Sequence, residues 1–332
     1  MNLQLKQTLH RLGPFEIRPI SPQLKRTLQR LGPFIALLIV CVGLALLSPD
    51  FLTVSNLFDV MRQVSINAVI AFGMTLAILL GGIDLSVGSI LAVSSVLIAL
   101  MLKAGVAAGP AATVGLLAGA AMGAVNGLII AKGRVAPFIA TLGMMTLLRG
   151  VALVVSQGSP ISGFSGDFFS MIGGGYLAGL VPLPVVWMLA LFTLFWFLLT
   201  RTVFGRHVYA TGGNVEAAAL SGVKTDRVQI VVYSLSGAMA AIAGIILTSR
   251  LDSAQPTAGE GYELDAITAV VLGGTSLAGG RGWIFGTLVG ALLIGVLNNG
   301  LNLLGVSAFY QQVIKGTVIL LAVLLDRAHK SE

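Results

Sequence analysis

A chain of 332 residues with 56% hydrophobic and only 10% charged side chains is not a soluble globular domain, in which about a quarter of residues are charged. A formal net charge of +7 would suit a nucleic-acid binder, but 15 of the 20 Lys and Arg fall on a single side of the apolar spans read below. That asymmetry excludes nucleic acid as the reason for the surplus and assigns it to membrane orientation, with some contact to anionic lipid.

Ten apolar runs follow one another, at roughly 31–47, 65–80, 86–102, 110–131, 137–156, 184–200, 228–248, 263–278, 283–301 and 309–325. Most are about 17–20 residues long, enough to cross ~30 Å of hydrocarbon, so the expected fold is an all-α polytopic membrane protein with about ten transmembrane helices. Both termini are then cytoplasmic, only Arg62, Lys103 and Arg250 lie outside, and Arg149 and Lys315 lie within spans. The first run has basic residues before it but no small-residue cleavage site after it, so it reads as an uncleaved anchor. Cys41, the single cysteine, sits inside that run as a small apolar residue.

The expected organisation is a basic cytoplasmic tail over 1–30, a membrane domain over 31–326 and a short cytoplasmic end over 327–332. The tail holds a direct repeat, Leu5 to Phe15 recurring as Leu24 to Phe34. Two copies are too few for a solenoid, and a local duplication explains them. Residues 53–64 place Leu57, Val60, Met61 and Val64 on one helical face opposite Asn56, Asp59 and Gln63, which reads as a separate interfacial helix at the outer mouth. Gly115, Gly119, Gly123 and Gly127 cut a groove along the fourth span, where another backbone can approach closely.

Two Gly-broken segments, Gly81-Gly82-Ile83-Asp84-Leu85-Ser86-Val87-Gly88-Ser89 and Gly273 to Arg281, each interrupt an apolar run. Paired breaks of this kind point to a transport pathway, since non-helical backbone at depth must be buried in protein or line a wet cavity. Asp84 either caps a broken helix lining that pathway or satisfies the N–H groups of an ordinary turn. Asn126, Asn298, Asn299 and Gln311 offer donors and acceptors without a buried charge, as pathway walls or as interhelical hydrogen-bonding groups. Arg149 needs an internal partner or a wet cavity, and a structural role fits it.

No Gly-x-x-x-x-Gly-Lys-Ser/Thr occurs, so the chain holds no phosphate cradle of its own. His10, His207 and His329 have no metal-ligand spacing, and no catalytic constellation stands out, so neither a metal site nor catalytic residues are expected. The largest cytoplasmic loop, 201–227, contains Glu216-Ala217-Ala218 followed by Gly222 and reads as a short exposed helix over 214–221 that stops at the glycine.

That Glu-Ala-Ala-x-x-x-Gly loop resembles the coupling loop of bacterial ABC importer permeases. Gly205 to Asn214, Gly82 to Ser89, Lys132 to Val135, Ser253 to Gly259, Val271 to Gly282 and Leu297 to Val306 resemble the monosaccharide branch of that family, over about 34–326. The resemblance implies a fold similar to the vitamin B12 importer type and a place in the bacterial cytoplasmic membrane. It implies import of a monosaccharide, D-ribose first, with another pentose, hexose or small polyol as the alternative. It further implies a second copy of the chain, a cytoplasmic subunit that binds ATP and Mg, and an external sugar-binding protein. Gly213, Asn214, Glu216, Ala217, Ala218 and Gly222 would then contact the ATPase. The outer segments 157–183 and 249–263 would be docking faces for the binding protein or passive connectors. An ion-coupled secondary transporter is the reading from a different class.

Overall fold

The computed structural model describes residues 22–164 and 166–328. The first copy of the tail repeat and residues 329–332 lie outside the described residues. The chain order is α1 (Pro22–Leu47), α2 (Val54–Leu79), α3 (Val87–Lys103), α4 (Ala108–Ala131) and α5 (Pro137–Val155), then β1 (Ile161–Ser162), α6 (Asp167–Gly174), β2 (Tyr176–Leu177) and β3 (Val181–Pro182). There follow α7 (Leu183–Arg201), α8 (Val203–Gly213), α9 (Val215–Leu220), α10 (Thr225–Leu251), β4 (Ser253–Ala254), α11 (Tyr262–Leu272), α12 (Ile284–Leu303) and α13 (Ala308–Ala328). The strands make two short antiparallel ribbons, β1 with β4 and β2 with β3.

Each expected span overlaps a helix, though the run at 263–278 is helical only as far as Leu272. Among the described residues six helices, α2, α4, α5, α7, α10 and α12, are long and apolar enough to cross a membrane, while Leu31–Leu47 and α3 are shorter apolar helices. The centre of the molecule is α2, buried without interruption from Val64 to Leu79. Around it pack α10, α12, α11 and α7, and Phe72 of α2 meets Phe192 and Phe195 of α7. The most extensive helix pair is α4 with α10. The glycine groove is the reason: Gly119 faces Ala241 and Gly237, Gly123 faces the backbone of Tyr233 and Gly237, and Gly127 faces Ile230. Small residues at that spacing let two backbones approach and gain dispersion contacts that larger side chains would block.

Two expectations are corrected. The separate interfacial helix at 53–64 does not exist, because α2 runs unbroken from Val54. Thr53 caps it by accepting from Asn56 N, and no Pro or Gly interrupts the chain before Gly73. The polar face taken as interfacial is occupied instead: Asn56 and Asn299 exchange amide hydrogen bonds at 2.7 and 3.1 Å, and Arg62 pairs with Asp59 at 2.9 Å. The span expected at 263–278 stops early, since α11 ends at Leu272 after 11 residues. Gly274, at φ 85°, donates to Val271 O, and Thr275 donates to Val270 O, which closes a Schellman cap.

Residues 249–263 pack against α3 as well as pairing through β4. After β4 the chain descends until Gly259 packs on Gly88, in the first turn of α3. Neither residue has room for a Cβ: on Gly88 it would lie 2.8 Å from Glu263 Oε2, and on Gly259 2.7 Å from Gly88 O. A pair of glycines with no apolar signal of its own permits the descent, so hydropathy alone did not reveal it.

One ion pair secures the last helix. Lys315 Nζ of α13 donates to Asp265 Oδ2 of α11 at 3.0 Å, with side-chain exposures of 29% and 9%. Asp265→Ala is expected to destabilise the chain by about 2 kcal/mol, below the 3–5 kcal/mol of a fully buried pair because Lys315 stays partly solvated. The double substitution Asp265→Ala/Lys315→Ala should recover part of that loss. Thermal unfolding in detergent checks both, and equal losses in the single and double variants would remove the pair from the account.

Candidate functional site

The loop at 201–227 folds into two short helices. Thr202 Oγ1 accepts from Gly205 N at 3.2 Å and opens α8. Asn214 closes α8 by donating its N–H to Ala210 O and opens α9 by accepting from Ala217 N at 2.9 Å. One residue thus turns the chain between two helices. At the far end Gly222 takes φ 86°, Gly222 N donates to Ala219 O and Val223 N to Ala218 O, which is again a Schellman cap. The expected helix over 214–221 is Val215–Leu220 with Asn214 and Ser221 as its caps.

Gly213, Asn214, Glu216, Ala217, Ala218 and Gly222 therefore lie on one compact projection. Ala218 is its buried side, packed toward the body, while Glu216 and Ala217 are exposed. Leu220 was not singled out in the sequence, yet it is 91% exposed at the tip, and Val215 is exposed beside it. Apolar side chains exposed on a short helix between basic flanks suit contact with another protein. Their only sequence signal is that they are apolar residues in a polar loop.

Beneath the projection three backbones meet. The Leu79 carbonyl at the end of α2 accepts from Gly280 N at 2.8 Å. Gly212, near the end of α8, lies against both: a Cβ there would come within 2.8 Å of Gly280 N and of the Leu79 carbonyl carbon. Gly280, at φ 68°, backs onto Gly213, and Gly279, at φ 82°, onto Gly212 and Gly81. Tyr209 Oη adds a bond of 2.9 Å to Gly282 O, and burial raises its phenol above the ordinary range.

This junction joins the projection to both Gly-broken segments. Gly81 ends α2 at φ 79° with the same cap that Gly274 gives α11: Gly81 N donates to Ile78 O and Gly82 N to Ala77 O. The structural equivalent of Gly81 is Gly274, one residue beyond the partner that the glycine pairs indicate.

The five residues read as pathway walls are not in one place. Asp84 and Asn126 share a buried network, in which Asp84 Oδ1 accepts from Ser86 N and Ser86 Oγ and Oδ2 accepts from Ser236 Oγ at 2.8 Å. Asn126 Nδ2 donates to Ser86 Oγ at 2.8 Å. Asp84 and Asn126 are both fully buried, at the point where α3, α4 and α10 meet. Asn299 bonds Asn56, Asn298 is buried beside it on α12, and Gln311 bonds Asn302 Oδ1 and Val306 O near the start of α13.

Known proteins resemble this chain along most of its length. The family described as "Branched-chain amino acid transport system / permease component" matches residues 56–323. The ribose import permease protein RbsC of Bacillus subtilis is 58% identical over 294 residues, covering 88% of this chain and 91% of that protein. RbsC of Escherichia coli K12 is 56% identical over 295 residues, covering 88% and 92%. The D-allose transport system permease protein AlsC of Escherichia coli K12 is 43% identical over 283 residues, covering 85% and 86%. No solved structure matches the chain. A polytopic helical chain with this match along most of its length belongs to the permease-component family of the branched-chain amino acid transport type.

Proposed function

We propose that this chain is the membrane permease subunit of an ATP-driven importer that carries D-ribose across the bacterial cytoplasmic membrane. The observation that carries this reading is the 58% identity to a ribose import permease across 88% of the chain, against 43% to the allose permease. ATP and Mg are held by a separate cytoplasmic subunit, and α9 is the helix that docks into it, led by Leu220 and flanked by Asn214, Glu216, Ala217 and Gly222. The chain crosses the membrane about ten times with both termini inside, in a fold similar to the vitamin B12 importer type, and pairs with a second copy of itself. A sugar-binding protein delivers substrate to the outer side, where 157–160 and 176–181 are exposed. Asp84, Asn126, Asn298, Asn299 and Gln311 take part in the pathway when ATP-driven movement of α8 and α10 parts the helices.

Uptake of radiolabelled D-ribose into proteoliposomes tests the reading. Transport is expected only when the chain is reconstituted with its ATPase and binding protein. Uptake by the chain alone under an ion gradient would make it a secondary transporter. Within the working complex, Gly222→Val forces a β-branched residue to φ 86° and opens the cap of α9. Glu216→Lys reverses the charge on its first turn. Either change should cut uptake at least about tenfold, the weight of one 1.4 kcal/mol contact, and abolish ATPase stimulation by the binding protein with insertion unchanged. Normal uptake in both would remove α9 as the coupling element.

A further inference from the structure

A cleft of about 430 Å³ lies between α8 and α10, at the base of the projection. Each helix lines it with a polar level and an apolar level. On α8, Phe204 and His207 are three residues apart on one face, with Phe204 the nearer to the apolar run that ends at 200. On α10, Lys224, Arg227, Val228 and Val231 recur at the three- and four-residue spacing of a single face. Lys224 and Arg227 precede the apolar run at 228–248, whereas Val228 and Val231 belong to it. Val231 lies about 10 Å beyond Lys224 along the helix axis, at 1.5 Å per residue. The cleft therefore passes from cations to apolar wall over the distance in which a lipid headgroup gives way to its chains.

The positive charge is not neutralised from within the chain. The lining holds no carboxylate, and Asp226, between the two cations in sequence, is bound to Lys132 at 2.7 Å. Among the described residues, the side chains of His207, Lys224 and Arg227 close no ion pair and no hydrogen bond. The positive end of the α10 dipole adds to their field. Val231 stays 43% exposed beside them, and Phe204 is half-buried.

We propose that this cleft holds one anionic phospholipid of the cytoplasmic leaflet. Its phosphate sits on Lys224 and Arg227, a ring N–H of His207 is a third donor, and its first methylenes cover Phe204, Val228 and Val231. A basic pocket between helices at the cytoplasmic side is the setting in which such headgroups bind. A soluble anion would meet the cations and leave the apolar wall bare. An acidic side chain of a docked ATPase would stop at the cation level for the same reason. A zwitterionic lipid would cover the wall, but its own ammonium group would offset the phosphate. Gly222, which caps α9, also lines the cleft, so the lipid braces the turn between α9 and α10. The choice of leaflet rests on the proposed orientation of the chain, and the site is independent of the sugar carried.

The test uses the full-length chain in phosphatidylcholine nanodiscs. They contain a small fraction of phosphatidylglycerol with a photoactivatable group near the start of one acyl chain. Labelling is expected at Phe204 and over 228–231, and a phosphatidylcholine probe with the same chain should label there about tenfold less. Lys224→Gln and Arg227→Gln should each cut the phosphatidylglycerol yield about fivefold, the weight of one cation beside an anionic membrane. Val231→Asp should cut it with both cations in place. Labelling elsewhere on the chain should not change, which shows that the variants still fold. Glycerol phosphate, which has the anion without the chains, should not displace the probe. Equal labelling by the two probes, unchanged labelling in Lys224→Gln/Arg227→Gln, or displacement by glycerol phosphate overturns the inference. Loss of ATPase capture in that double variant, with labelling intact, would assign the cleft to the ATPase instead. Because no sugar enters the experiment, failure of the proposed D-ribose import would leave its result standing.

Discussion

Replacing Gly212 by alanine is expected to lower uptake at least about tenfold while the chain still inserts and α9 stays folded. Two effects oppose each other. Gly212 is inside α8, where alanine is favoured over glycine by about 1 kcal/mol. Propensity alone therefore predicts a better helix. The methyl group, however, has no space, since it would fall on the Leu79 carbonyl and within 2.8 Å of Gly280 N. These are backbone atoms that already bond one another at 2.8 Å, and no rotamer change can move them aside. Overpacking of this kind costs about 1–3 kcal/mol, and it outweighs the propensity gain. α8 must back away from the junction, and α9, joined to it through Asn214 alone, moves with it. On the proposed coupling role, the consequence is functional before it is structural: movement of α9 no longer reaches the end of α2 and the loop after α11. Gly43→Ala in α1 is the control, because a Cβ at Gly43 meets nothing within 4 Å. Uptake assays with ATPase measured in parallel separate the outcomes, and a Gly212→Ala complex that transports normally would disconnect the junction from coupling.

Apolar runs of membrane length mark where helices lie, and here each expected run overlaps one, although the run at 263–278 outlasts its helix. Helix ends were legible where a single residue dictates them, as Gly222 does for α9, because a left-handed backbone leaves few alternatives to glycine. The glycine spacing of α4 likewise announced a close helix contact, though not that α10 makes it. What hydropathy does not encode is contact between distant segments. The junction joins Leu79, Gly212 and Gly280, and nothing local to any of them names the other two. The descent of 253–263 depends on Gly88 facing Gly259, again a pairing invisible to a window along the chain. The repeat register slipped by one residue for a related reason. The C-cap position accepts leucine in one copy and glycine in the other, while the next position requires φ > 0, so aligning glycine pairs matches the less constrained residue. Arg149 was not linked to 256–258 because one reads as a span residue and the others as loop residues.

Asp84→Ala is expected to destabilise the folded chain by about 3 kcal/mol, a larger loss than breaking the ion pair between Asp265 and Lys315. Burying a carboxylate without a cation is costly, and its removal would by itself be a gain. Against that gain stand three donors that Asp84 alone satisfies: Ser86 N at 3.1 Å, Ser86 Oγ at 2.6 Å and Ser236 Oγ at 2.8 Å. Hydrogen bonds to a charged acceptor are worth roughly 1.5–3 kcal/mol each, and donors left bare in a closed site lose the full desolvation cost. Alanine also leaves a void where α3, α4 and α10 converge, and the void frees Ser86 Oγ from the geometry in which it receives Asn126 Nδ2. Three lost bonds outweigh one relieved charge. Asp84→Asn separates shape from charge, since its amide oxygen still accepts from Ser86 N while the serine hydroxyls can turn to accept from its NH₂. Asparagine should therefore stay within about 1 kcal/mol of the parent chain if the carboxylate matters as an acceptor. Thermal unfolding of the purified chain in detergent ranks the three proteins. If alanine melts where aspartate does, the network holds nothing together and the buried carboxylate must be explained by its part in transport alone.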